Sequence, residues 1–141
     1  MRVAELMQTN LKTISVDATV EDAVAALAEA RVSALPVIDR FGRAVGVVST
    51  GDVLDAERRH SRPRARERLL RRGRVLEVMN PWPLTISPEA DVRQAAQEML
   101  YFDARRLFVE AKGALVGVIT QTDIVRALAT GRLPATANVA A

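Results

Sequence analysis

Two short stretches carry the side chains best suited to chemistry. Ser49-Thr50-Gly51-Asp52 and Thr120-Gln121-Thr122-Asp123 each set a hydroxyl three residues before a carboxylate. Each follows a glycine and two apolar residues, Gly46-Val47-Val48 and Gly117-Val118-Ile119. A carboxylate accepts hydrogen bonds from neighbouring hydroxyls. A helix start beside it presents unpaired N–H groups and the positive end of a dipole, which suits phosphate. A glycine without Cβ lets backbone or ligand come close. The same spacing is also a capping box, a structural device worth about 1 kcal/mol. Both uses can share one aspartate, because the cap needs only one carboxylate oxygen.

Other chemistries find little material. There is no cysteine, so disulfides and thiolate metal sites are excluded. His60 is the sole histidine and sits among arginines, where it reads as linker. No Walker-type phosphate loop and no Gly-x-Gly-x-x-Gly fingerprint occurs. No nucleophile–base or metal constellation is visible, so catalysis is the weakest of the functional readings.

The elements that position the two stretches are themselves doubled. Shifting the sequence by 72 residues sets Val3-Ala4-Glu5-Leu6-Met7 against Val75-Leu76-Glu77-Val78-Met79, and Thr13-Ile14-Ser15 against Thr85-Ile86-Ser87. A single deletion near Phe41 changes the offset to 71, after which Asp52 meets Asp123. Each copy opens with an apolar turn and a short extended stretch. An amphipathic helix follows, with Val20, Ala23, Val24, Leu27 and Ala28 on one face, or Val92, Ala95, Ala96, Met99 and Leu100. Thr19 with Asp22 and Asp91 with Gln94 read as capping boxes at their starts. Two strands come next, Leu35 to Ile38 and Ala44 to Val48, then Arg106 to Val109 and Leu115 to Ile119, turning at Gly42 and Gly113. A last helix begins near Thr50 and Gln121. The fold class is therefore α+β, with two β-α-β-β-α repeats. At roughly 55–60 residues each copy is marginal alone, and packing sheet to sheet would make one pseudo-symmetric module with two equivalent clefts.

With both heptads in equivalent places of this repeat, and with Ala34-Leu35-Pro36-Val37-Ile38-Asp39 beside the first, the chain resembles a tandem pair of cystathionine-β-synthase (CBS) domains, a Bateman module. The resemblance implies a first domain at 3–57, a basic linker at 58–74, a second domain at 75–130 and a flexible tail at 131–141. It implies a non-enzymatic regulatory module, with a role such as energy sensing, that binds an adenosine-containing ligand. AMP, ADP, ATP, S-adenosylmethionine, NAD and cyclic dinucleotides all remain open. In such modules the aspartate binds the ribose hydroxyls, the preceding Ser/Thr lies near the phosphates, and the opening strand and Pro-Val strand enclose the adenine. Carried over by position, the first site uses Thr13, Ile14, Leu35, Pro36, Val37, Ser49 and Asp52. The second uses Thr85, Ile86, Leu107, Phe108, Val109, Thr120 and Asp123, with Arg106 available to phosphates or to solvent. The second copy departs from the pattern: Phe108 replaces Pro36, and either stacks on a base or fills the cleft. A homodimer and a separate regulated protein are the implied partners. No obligatory cofactor is implied.

Charge is concentrated. Residues 58–74 hold nine arginines against one glutamate, a net +8 that leaves the remainder at −5 within a total of +3. Pro63 interrupts this stretch, and Arg64 to Arg72 could be helical. A solvated linker is its bland reading; an acidic partner, nucleic acid or the phosphates of a bound nucleotide are the others. The stretch has no aromatic residue to stack on bases, so nucleic acid is disfavoured. A structural or dimerisation module with empty sites is a further alternative. Trp82, in Asn80-Pro81-Trp82-Pro83, reads as a packing residue. With no long apolar run at its start or elsewhere, the expected location is cytoplasmic, with no membrane partner.

Overall fold

Val20, Ala23 and Leu27 recur at helical spacing, and all three are buried on one face of α1 (Val20–Ala30). Thr19 Oγ1 accepts the Asp22 N–H at 3.1 Å and Asp22 Oδ2 accepts the Thr19 N–H at 3.0 Å, so the expected capping box closes. The equivalent helix α5 (Val92–Tyr101) buries Val92, Ala95 and Met99 but lacks the box. Asp91 Oδ1 accepts the Arg93 N–H at 2.8 Å, and the Gln94 amide turns to Glu98 instead. Distant contacts do not distinguish the two helix starts: Arg2 bridges to Asp91 and the Met1 carbonyl takes the Val92 N–H at 2.9 Å, just as Arg74 bridges to Thr19 and the Gly73 carbonyl takes the Val20 N–H at 2.8 Å.

The computed structural model describes residues 1–134, and these form two compact units. One spans Lys12–Pro83. It holds β1 (Ile14–Ser15), α1, β2 (Ala34–Ile38), β3 (Ala44–Ser49), α2 (Thr50–Arg59), α3 (Pro63–Arg72) and α4 (Val75–Val78). Its sheet has the order β1-β2-β3, with β1 parallel and β3 antiparallel to β2. The other unit joins Met1–Leu11 to the chain from Leu84 onward. It holds a 3-10 turn (Val3–Glu5), β4 (Thr85–Ile86), α5, β5 (Arg106–Ala111), β6 (Ala114–Thr120) and α6 (Gln121–Ala129), with the same order β4-β5-β6.

The compact units and the sequence repeats divide the chain differently. Each unit takes the opening turn of the other repeat. Val3, fully buried, packs with Ile86, Val92, Leu107, Ile119 and Ile124. Val75, fully buried, packs with Ile14, Val20, Leu35, Val37 and Val48. Equivalent backbone bonds fix both exchanges. The Val3 N–H donates to Ala90 and the Val75 N–H to Ala18, at 2.8 and 2.9 Å. The first N–H of α1 goes to Gly73 and that of α5 to Met1.

The change of repeat offset is absorbed in the hairpins. Between β2 and β3 the turn carries Asp39, whose Oδ1 accepts the Phe41 and Arg43 N–H groups at 2.8 and 3.0 Å. Between β5 and β6 only Lys112 and Gly113 intervene, at φ 54° and 79°, the left-handed pair that suits a two-residue hairpin.

The arginine-rich stretch is helical from Pro63, which occupies the first turn where its missing N–H is harmless. Leu69 on α3 packs against the core of its unit. Leu133, in the stretch expected to be tail, is 4% exposed and belongs to the other core; residues 135–141 lie outside the described part.

Candidate functional site

Each Ser/Thr-x-x-Asp stretch spans a strand end and a helix start, and the cap is what holds the aspartate there. Ser49 Oγ accepts the Asp52 N–H at 3.0 Å, and Asp52 Oδ2 accepts the Ser49 N–H at 2.9 Å. Thr120 Oγ1 accepts the Asp123 N–H at 3.0 Å, and Asp123 Oδ2 accepts the Thr120 N–H at 3.0 Å. The structural use of both carboxylates is therefore present, and in both it takes Oδ2. The Oδ1 atoms remain, together with hydroxyl protons on Ser49 and Thr120 that the caps do not use.

The two glycines before these stretches meet backbone. A Cβ on Gly46 would lie 2.5 Å from Met79 Sδ and 2.8 Å from the Asn80 carbonyl. On Gly117 it would lie 2.7 Å from Met7 Sδ and 2.9 Å from the Gln8 carbonyl. The segment after each opening turn thus runs hard against the last strand. It is pinned there by paired bonds, Asn80 with Val47 at 2.8 and 2.9 Å, and Gln8 with Val118 at 2.8 and 3.0 Å.

Here the two halves diverge. The Gln8 side chain reaches Asp123: its Nε2 donates to Oδ1 at 2.9 Å and to Oδ2 at 3.1 Å. Arg126 Nη1 stands 4.0 Å from the same Oδ1. Asp123 is 7% exposed, the one buried charged side chain among the described residues. Asn80, in the equivalent place, is one methylene shorter. Its Oδ1 accepts the Trp82 N–H at 3.1 Å in a local turn. Asp52 stays half-buried, and among the described residues its Oδ1 accepts no hydrogen bond. A hollow of about 410 Å³ beside Asp123 is lined by Leu6, Arg126, Thr130 and Arg132.

The remaining residues expected at the first site lie in the same unit as Asp52. Thr13 is exposed just before β1. Ile14 pairs with Val37 across the parallel strands, and Ser49 pairs with Ala34. Ile14, Leu35 and Val37 are core side chains, so what they can offer a ligand is backbone. Pro36 lies on the opposite face of β2 and is buried too. In the second set, Thr85 is exposed, while Ile86, Leu107 and Val109 are core side chains. Arg106 pairs in register with Thr120. Burial first, then the charge of Arg105, lowers the Arg106 guanidinium pKa from its ordinary value. Phe108 lies opposite Leu107 and Val109 and is only 3% exposed, so in this structure it fills space and presents no open ring face.

Sequence reasoning missed Gln8 and Arg126. A signal for Gln8 exists: an amide residue follows the methionine in both copies, Met7-Gln8 and Met79-Asn80.

Comparisons with known proteins agree with this architecture. A CBS domain-containing protein of Dictyostelium discoideum is 32% identical over 127 residues, covering 87% of this chain and 88% of the relative. The chloroplastic CBS domain-containing protein CBSX2 of Arabidopsis thaliana is 31% identical over 139 residues, covering 84% of this chain. The chain spans 58% of the length of CBSX2 and 63% of that of its relative CBSX1. A crystal structure of CBSX2 in complex with AMP superposes with a TM-score of 0.77 at 31% identity, covering 94% of this chain and 98% of that one. The structure of a Methanocaldococcus jannaschii protein gives a TM-score of 0.79 at 26% identity, covering 92% and 60%. The CBS domain family model matches twice, over residues 3–59 and 75–130, the two segments that carry the capped aspartates. A doubled strand-helix-strand-strand-helix fold, a paired Ser/Thr-x-x-Asp cap and a family match over both copies have one common account: the chain belongs to the CBS-domain family as a tandem pair.

Proposed function

We propose that this chain is a regulatory module that binds an adenosine-containing ligand through the Ser/Thr-x-x-Asp stretches, and that it performs no catalysis of its own. The observation carrying this is Asp52. Its cap uses one carboxylate oxygen and leaves the other with an unused acceptor, half-exposed, beside the N-terminus of α2. A ribose hydroxyl suits that oxygen, and a phosphate suits the Ser49 hydroxyl and the helix N–H groups. The AMP complex of CBSX2, at 31% identity, supports an adenine nucleotide as the effector.

The finer parts of the reading are these. The regulatory units are residues 3–57 and 75–130. Two chains associate as a homodimer, and binding shifts the packing that a separate protein reads. No described helix is long and apolar enough to cross a membrane; a cytoplasmic location is part of the proposal. Calorimetry on nucleotide-stripped protein with AMP, ADP, ATP, S-adenosylmethionine, NAD and a cyclic dinucleotide tests it. The expected result is micromolar binding of at least one, on the order of −8 kcal/mol. No heat with any of them would leave a structural module with empty sites.

A second reading has its own observation. Arg64, Arg68 and Arg72 recur at helical spacing along α3. Among the described residues none of the three forms an ion pair, whereas Arg71 pairs with Glu67 at 3.2 Å. This stripe suits an acidic partner protein. Binding that weakens steeply with salt, and is lost in a triple glutamine variant, is its signature.

A further inference from the structure

We infer that Gln8 closes the Asp123 carboxylate, so that the two aspartates are unequal and an adenosine ligand occupies Asp52 first. This rests on the adenosine-ligand reading above and adds to it a rule for which carboxylate is available.

The argument starts from the acceptors. A carboxylate that caps its helix through Oδ2 has Oδ1, and a second lone pair on Oδ2, left for a diol. At Asp123 the Gln8 NH2 group takes both oxygens, at 2.9 and 3.1 Å. It offers the carboxylate what the vicinal hydroxyls of a ribose would offer. The contact is preorganised: the Gln8 backbone is held on both sides by Val118, so the side chain has only its own rotamers to fix. The carboxylate is 7% exposed, which strengthens the bond. A ligand at Asp123 must therefore displace a hydrogen-bonded amide from a buried charge.

The first half shows what happens when the side chain is shorter. Asn80 has the same backbone pairing, with Val47, and the same methionine before it. Its amide turns back to Trp82, and Asp52 is left half-buried with Oδ1 unused. One methylene, Gln against Asn at equivalent positions of the repeat, separates a closed carboxylate from an open one.

The test is calorimetric titration of the full chain with AMP, using wild type, Gln8→Ala, Gln8→Asn and Asp52→Asn. Gln8→Asn keeps the amide and copies the open half, so it guards against poor folding of the alanine variant. The expected wild-type result is one AMP per chain, or two steps with the second at least tenfold weaker. Asp52→Asn should remove or weaken the tight step. Both Gln8 variants should gain a second equivalent or tighten the weak step at least tenfold. Two equal sites in the wild type, or Gln8 variants that titrate as the wild type does, would overturn the inference while leaving the adenosine-ligand reading intact. No heat in all four proteins from AMP, ADP, ATP, S-adenosylmethionine, NAD or a cyclic dinucleotide would overturn both.

Discussion

Asp52 and Asp123 share a cap, yet the same substitution should hurt them differently. At Asp52, asparagine keeps an oxygen for the Ser49 N–H and loses only the unused acceptor and the charge. The expected outcome for Asp52→Asn is a small stability change, within ~1 kcal/mol, and AMP affinity reduced tenfold to a hundredfold, about 1.5–3 kcal/mol. At Asp123 an asparagine has one oxygen for two donors, the Thr120 N–H and the Gln8 amide. Its own NH2 can be met only by a turned-over Gln8 amide, which exchanges a charge-assisted bond for a neutral one in a site 7% exposed. Asp123→Asn should therefore cost stability, about 1–3 kcal/mol. Urea denaturation of both variants checks this, and an Asp123→Asn midpoint no lower than that of Asp52→Asn would mean that the Gln8 bond contributes nothing to folding.

At the scale of elements, the last strand of each unit depends on a glycine to accept its neighbour. Gly46→Ala and Gly117→Ala would each place a methyl group against a methionine sulfur and a backbone carbonyl that is itself hydrogen-bonded. The methionine can swing away; the carbonyl cannot without breaking a strand pair. Each substitution should destabilise by about 1–3 kcal/mol, read from denaturant midpoints at unchanged slope. The exchange of opening turns gives a second expectation. Val3 is buried with the helices and strands that follow Leu84, and Val75 with those between Lys12 and Arg59. Truncating either to alanine removes two methyl groups from a full core, a loss of roughly 1–3 kcal/mol. Hydrogen exchange monitored by mass should then accelerate in the distant partner segment: within 84–133 for Val3→Ala and within 12–59 for Val75→Ala. Acceleration confined to each turn's own repeat would contradict the exchange.

At the scale of the whole molecule, apolar surface is left over. Leu100, Tyr101 and Phe102 at the end of α5 are 77%, 83% and 53% exposed, and Val125 on α6 is 63% exposed. Single exposed hydrophobes are ordinary, but a run of three at one helix end, close to another helix of the same unit, is the surface expected to associate. Light scattering should give twice the 15.4 kDa chain mass, and Leu100→Glu should shift the population toward that single-chain mass, without loss of helix content by circular dichroism. A wild-type protein that stays at the mass of one chain, with and without AMP, would remove the homodimer from the proposed function.

Much of this was legible in the sequence because it is governed by near neighbours. Strand positions, most of each helix face, the glycine turns and the caps at Ser49/Asp52 and Thr120/Asp123 depend on residues a few positions apart, and these stand where the patterns put them, save Ala28 and Leu100, which were expected on the buried helix faces and are exposed. The doubling at an offset of 72 made the family resemblance readable, because two matching heptads in one repeat constrain each other. What the sequence left open is where the spare hydrogen-bonding groups go. The Asp91–Gln94 box did not form although both helix starts receive equivalent distant bonds: Asp91 accepts the Arg93 N–H, and the Gln94 amide goes one turn on to Glu98. The opening turns exchanged units because an apolar turn with free N–H groups serves any core that offers carbonyls in register, and local pattern does not say which. The two aspartates read as equals until Gln8, 115 residues from Asp123, proved long enough to reach it while Asn80 folded back on its own loop. Only the tertiary structure sets such distances, because the reach of a side chain matters only once the backbone beneath it has been fixed.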